Sequence, residues 1–203
     1  MNKLGIDVSH WQLKVDWQKA KANGIQFAFI KATQGTAILD PMYKVNWSAS
    51  RDVGIPRGAY HFYDYRVDPI KQAAWLLEQT SRDPGELGYV LDVEKLKAGA
   101  QGLRPPPTYA DDLRRFCEFI STQTGTIPII YTGFYWWKDN GLEKAAWARQ
   151  YPLWIANYNN VAPLVPLPWG PDTWTFWQFT DRGPGLFYGV QSKQVDMNVW
   201  RYI

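Results

Sequence analysis

The run Tyr89-Val90-Leu91-Asp92-Val93-Glu94 sets two carboxylates two residues apart inside an apolar stretch. Side chains alternate along a strand, so Asp92 and Glu94 share one face while Leu91 and Val93 share the other. Two carboxylates on one buried face oppose each other's ionisation, through lost hydration and through mutual repulsion. The expected consequence is a carboxyl group that keeps its proton near neutral pH, which is what general acid catalysis requires. Glu94 is the expected proton donor. An Asp-x-Glu pair also fits a strand with one exposed face, or carboxylates held in structural hydrogen bonds. Asp7 and Asp196, expected at the same rim, turn the pair into a site, because titratable groups from distant parts of the chain then converge.

Something must bring those acids together, and the order of elements indicates what. Short apolar runs alternate with amphipathic stretches, the pattern of parallel strands joined by crossover helices. Strands are expected at 4–8, 27–31, 58–63, 89–93, 127–131, 153–156, 175–179 and near 195–197. Asp16 starts a helix that stops at Gly24, Asp68-Pro69 starts a second, and Thr108 opens the longest, ended by Gly125. Beyond Ala156 the helical period disappears into a proline-rich loop, and 181–194 reads as a hairpin or irregular excursion. A complete eight-helix barrel usually needs about 250 residues, more than the 203 present. The expected fold is therefore α/β: an irregular TIM-like barrel of about eight strands, with helices missing in its second half and its last strands antiparallel.

Sites in such barrels lie at the C-terminal ends of the strands. Polar and aromatic groups fall there on nearly every expected strand. His61 and Tyr63 lie two apart on the third, Tyr131 ends the fifth, and Trp154 and Asn157 flank the end of the sixth. Gln178 is near the end of the seventh. These six are the expected substrate-binding groups. With twelve Trp and twelve Tyr in the chain, aromatic surfaces for ring-shaped ligands are plentiful.

Other chemistries find less support. A net charge of +3 with no clustering of Lys and Arg is not the footprint of a nucleic-acid binder. His10 and His61 are the only histidines and no Cys-x-x-Cys occurs, so neither a metal nor another cofactor is expected. Cys117, the sole cysteine, sits on the apolar side of an amphipathic helix and reads as a buried thiol. No nucleophile elbow or phosphate-cradling glycine loop is found. The N-terminus runs straight into a strand, with no apolar stretch suited to a signal peptide or a membrane span. The expectation is phage-type release from the cytoplasm, or a leader already removed, and no membrane association.

Several blocks together carry a resemblance. Gly5-Ile6-Asp7-Val8-Ser9-His10-Trp11-Gln12, Phe29-Ile30-Lys31-Ala32-Thr33-Gln34-Gly35, Gly58-Ala59-Tyr60-His61-Phe62 and Leu91-Asp92-Val93-Glu94 follow in order. Ile130-Tyr131-Thr132, Leu153-Trp154-Ile155-Ala156, Trp177-Gln178-Phe179 and Val195-Asp196-Met197-Asn198 complete the series. The chain resembles the Chalaropsis-type lysozymes, family 25 of the glycoside hydrolases, along essentially its whole length. The resemblance implies hydrolysis of the β-1,4 bond between N-acetylmuramic acid and N-acetylglucosamine in bacterial peptidoglycan. It also implies that Asp7, Asp92, Glu94 and Asp196 line the active site, with Glu94 as the acid. Residues 1–203 are expected to form a single catalytic domain, monomeric and without a separate wall-binding domain. Two alternatives stand beside this reading: a non-catalytic glycan-binding barrel, and a hydrolase acting on chitin.

Overall fold

In the computed structural model, which describes residues 2–96, 104–158 and 161–201, eight strands close into a barrel. In chain order the strands are β1 (Lys3–Val8), β2 (Phe27–Gln34), the short β3 (Ile38–Leu39), β4 (Arg57–Phe62) and β5 (Gly88–Val93). They continue with β6 (Ile129–Gly133), β7 (Leu153–Ala156), β8 (Trp174–Pro184) and β9 (Gln194–Trp200). From β1 through β2, β4 and on to β8, each barrel strand runs parallel to the next. β9 then runs antiparallel to both β8 and β1 and closes the ring. β3 hangs on the outer edge of β2 and takes no part in the closure.

The helices cover the first half, as the pattern of the sequence suggests. They are α1 (Trp17–Ala22), α2 (Tyr43–Asp52), α3 (Pro69–Gln79), α4 (Tyr109–Thr124) and the short α5 (Phe134–Asp139). Asp16 and Asp68 cap α1 and α3 by accepting from the backbone N–H groups of Lys19 and Lys71. Gly125 ends α4 in the left-handed conformation with φ 69°, which glycine adopts without a Cβ penalty. α2 has no counterpart in the sequence reading. It begins at Met42 without a side-chain cap, so no start signal precedes it. After α5 only short 3-10 turns precede β7, and among the described residues no helix joins β7 to β8.

Two boundaries shift for physical reasons. The sixth strand begins at Ile129 rather than at Ile127, because Pro128 has no N–H to give a ladder and Ile127 is exposed. The excursion expected at 181–194 is partly strand. β8 continues to Pro184, with register breaks between Gln178 and Gly183 that bend it away from the barrel.

Inside the barrel a separate aromatic core forms from Phe27, Phe29, Trp154 and Phe176, together with Val90, Ile129 and Tyr131. Phe29 stacks on Trp154 with ring centroids 4.2 Å apart. Glycines on the neighbouring strands make the space for these rings. A Cβ on Gly5 would lie 2.5 Å from the Phe27 ring. A Cβ on Gly58 would meet the carbonyl of Gly88 and the ring of Phe29, each at 2.8 Å. The plug fills the lower barrel and forms the floor of whatever lies above it.

Gly58→Ala should test this packing. One contact is with backbone and the other with an enclosed ring, so neither relaxes easily. The expected loss is about 1–3 kcal/mol, read as a lower urea midpoint at unchanged slope; an unshifted midpoint would show that the plug has slack.

Candidate active site

Above the plug, strand register sets Asp7 opposite Asp196, Asp92 beside Tyr131 and Gln178 beside Asn198. Asp7 is nearly buried, and its Oδ2 accepts from Gln178 Nε2 at 2.9 Å and from Asn198 Nδ2 at 2.8 Å. The direction of both bonds is fixed from behind. The Trp154 indole N–H can only donate, and it donates to Asn198 Oδ1 at 2.8 Å, so the Asn198 NH2 must face Asp7. The hydroxyls of Tyr131 and Tyr158 both donate to Gln178 Oε1 at 3.0 Å, which turns the Gln178 NH2 toward Asp7 as well.

An oxygen receiving two N–H groups is an acceptor, so any proton on Asp7 belongs on its other oxygen. Asp7 is also hydrogen-bonded to Asp196. Burial pushes the Asp7 carboxyl above its ordinary range, and the bonds from Asn198, Gln178 and Asp196 only partly offset this. The raised carboxyl at Asp7 thus follows from burial, and its neighbour Asp196 works against the shift by hydrogen bonding.

Asp92 is buried on the inward face of β5. Glu94 stands just past the end of that strand, partly exposed, and lines a cleft of about 670 Å³. Tyr131, Asn157 and Tyr158 line the same cleft, with Tyr135 and Trp136 forming an aromatic wall. Asp7 and Asp92 are buried and Asp196 is partly exposed, and Tyr131 and Tyr158, which line the cleft, link it to Asp7 through Gln178. The Tyr131 hydroxyl is held well above its usual range, first by burial and then by Glu94, Asp92 and Asp7. Tyr60, inside the barrel, is pushed up by burial and then by Asp7, Asp92 and Asp196. Each of the four acids therefore acts on a tyrosine that a second of them also reaches. Among the described residues no group of three or more His, Cys, Asp or Glu side chains is arranged to hold a metal ion.

The expected binding residues divide. Tyr131 and Asn157 reach the cleft. Gln178 does not: it is buried, and its amide is occupied by two tyrosines and Asp7. Trp154 is also buried, stacked in the plug beneath the site, where no sugar ring can reach its face. His61 and Tyr63 share a face, as expected, but it is the outer one, packed against Phe116 of α4. Sequence parity alone cannot say which face is inner. For β4 the inner face carries Gly58, Tyr60 and Phe62, the last in register with Asp92. Tyr60, Tyr158, Asn198 and the Tyr135–Trp136 wall were not anticipated. Asn198 lies two residues after Asp196, and that spacing was the available signal.

His61 is instead a structural histidine. Gln72 Nε2 donates to the carbonyls of Asp64 and Val67, so Gln72 Oε1 faces the ring and accepts from His61 Nε2–H at 3.1 Å. Nδ1 then accepts from the Thr33 hydroxyl at 2.8 Å. Both nitrogens are satisfied in the neutral form, and burial, with Lys31 adding to it, lowers the pKa to about 4.

Comparison with known proteins follows the same geometry. The profile of glycosyl hydrolases family 25 matches residues 6–186. The uncharacterized protein YegX of Escherichia coli (strain K12) is 38% identical over 185 residues, covering 88% of this chain. Lysozyme M1 of Streptomyces globisporus is 36% identical over 202 residues, covering 96% of this chain and 66% of its own length. The chain spans 63% of the length of YegX. Among solved structures, the bacterial lysozyme from Streptomyces coelicolor superposes with a TM-score of 0.82 at 30% identity, covering 98% of this chain and 92% of that one.

Two titrations check the site and its support. The Asp7 carboxyl carbon, followed by NMR, should titrate above the ordinary value of about 3.9. A raised native pKa gives stability that is complete below about 3.9 and is lost as pH rises through the native value. Asp7→Asn should therefore gain on the parent as pH increases, and a constant difference would contradict the shift. His61 has the opposite sign. Its native value of about 4 lies below the ordinary histidine value of 6.5, so stability falls as pH drops from 6.5 toward 4. The full loss is about 3 kcal/mol, measured by urea unfolding, and His61→Gln should flatten that slope.

Proposed function

The chain belongs to glycosyl hydrolases family 25, and from that premise we propose that it hydrolyses the β-1,4 bond between N-acetylmuramic acid and N-acetylglucosamine in bacterial peptidoglycan. The observation that carries the assignment of roles is that Glu94 is the only carboxylate among the described residues lining the cleft. A proton donor must reach the leaving oxygen. Glu94 stands where a bound glycan can touch it, whereas Asp7 is enclosed behind it with one oxygen already engaged by two amides. The relatives named lysozyme and N,O-diacetylmuramidase support peptidoglycan as the substrate.

In this reading Glu94 gives its proton to the glycosidic oxygen as the bond to the anomeric carbon breaks. The carbonyl oxygen of the substrate's own 2-acetamido group closes on that carbon, and Asp92 accepts the acetamido N–H and balances the charge that develops. Water then opens the ring intermediate, with Glu94 taking the proton back, so the anomeric configuration is retained. Asp7 and Asp196 hold the charge and geometry around Asp92, and Tyr131, Asn157 and the aromatic wall bound the sugars.

Glu94→Gln keeps the shape of the side chain and removes the acid. Release of reducing ends from purified peptidoglycan should fall about 10²–10⁴-fold, with the thermal midpoint unchanged. A folded variant that still lyses walls at the parent's rate would remove Glu94 from its role. Parallel assays on chitin oligomers separate a muramidase from a chitin hydrolase. Mass spectrometry of the trapped enzyme addresses the second half of the mechanism: a sugar ester on Asp92 or Asp7 would replace the acetamido route with a carboxylate nucleophile.

A further inference from the structure

Among the described residues the wall of the cleft is largely aromatic, with Tyr131, Phe134, Tyr135, Trp136 and Tyr158 as its main surfaces. Among those residues charge enters at two adjacent positions, Glu94 and Lys95. Glu94 is used in the proposed reaction. Lys95 is exposed at the cleft, and among the described residues no carboxylate forms an ion pair with it. An ammonium on a flexible stem recognises a carboxylate as a point charge, tolerant of its direction. Placed in the wall of the cleft next to Glu94, such a cation selects an anionic ligand over a neutral one.

The neutral sugars of a chitin-type chain have nothing to offer it. A peptidoglycan chain does, because every muramic acid carries a lactyl ether that ends in a carboxyl group, either free or joined to a peptide with carboxylates of its own. We propose that Lys95 is a specificity-determining residue that engages a carboxylate on the 3-O substituent of the muramic acid. The inference rests on the glycan-hydrolase reading above and adds to it the group on the substrate that the cleft reads.

The test uses the whole chain, with Lys95→Gln and Lys95→Arg beside the parent. Four soluble glycans are compared by release of reducing ends: peptide-bearing chains, chains stripped of peptide so that lactyl carboxylates are free, and each of these after conversion of its carboxylates to amides. The parent should prefer the carboxylated forms by about three- to tenfold in kcat/KM, carried mainly by KM. Lys95→Gln should erase that preference and Lys95→Arg should keep it. The carboxylated glycan on which the effect is larger identifies the source, lactyl group or peptide. An equal preference in parent and Lys95→Gln overturns the proposal while leaving the hydrolase reading intact. So does a shift of the acid limb of the kcat–pH profile that is the same on charged and amidated glycans, since that would mean Lys95 acts only through Glu94. If the parent cleaves none of the glycans, the hydrolase reading itself falls and takes this inference with it.

Discussion

Asp7 Oδ2 is held by two side-chain N–H groups whose direction is set one layer further out, by an indole that can only donate and by two tyrosine hydroxyls. That arrangement depends on five strands. β1 supplies the acid, β8 and β9 supply the amides, β7 supplies Trp154 and β6 supplies Tyr131. Each partner is useful only in one orientation, and a slip of one residue in β1, β7, β8 or β9 would present an apolar side chain in its place. The polar layer therefore ties the second half of the barrel, where crossover helices are sparse, to its first strand. It also constrains the acid at its centre, with one oxygen committed as acceptor to two amides.

The closure by β9 is what makes this possible. A parallel eighth strand would present its C-terminal end at the same rim as β1. Running antiparallel, β9 crosses the rim at its beginning and puts Asp196 directly opposite Asp7, with Asn198 two residues deeper on the same face. Burying two carboxyl groups side by side is unfavourable unless they share a proton or are hydrogen-bonded. The structure answers with the amides of Gln178 and Asn198 and with an aromatic plug below, where Gly5 and Gly58 leave room for Phe27 and Phe29. The plug excludes water from beneath the acids, and burial first, then the acids themselves, raise the Tyr60 and Tyr131 hydroxyls.

Much of this was legible in the residues, and the parts that were not share a cause. The barrel, its thin second half and its antiparallel end follow from apolar runs, caps and the loss of helical period after Ala156. The four acids were placed because strand alternation and the end-of-strand rule need only local sequence. What local sequence does not contain is the absolute direction of a face. His61 and Tyr63 were correctly paired with each other and wrongly aimed, since the parity of β4 is fixed by its neighbours, where Phe62 rather than His61 stands in the layer of Asp92. Depth is equally invisible. Trp154 and Gln178 lie on inward faces, but one belongs to the plug and the other to the support of Asp7, and only packing distinguishes them from groups at the cleft. The aromatic wall on α5 escaped for a related reason: Phe134, Tyr135 and Trp136 form part of an apolar run whose exposure the sequence does not reveal.

Depth also separates the roles of the acids. A group that transfers a proton must meet the substrate and then recover its proton from solvent, so it needs partial exposure. A group that stabilises charge works best where water is absent and its orientation is fixed. Glu94, just beyond the end of β5 and in the cleft wall, meets the first condition. Asp7, enclosed and locked, meets the second. Asp92, one strand repeat before Glu94, lies between them on the same face. The Asp-x-Glu spacing thus spans the boundary between floor and cleft: one strand sets a buried carboxyl inward and, in the proposed reaction, the proton donor outward, separated by Val93, which is buried in the core on the opposite side.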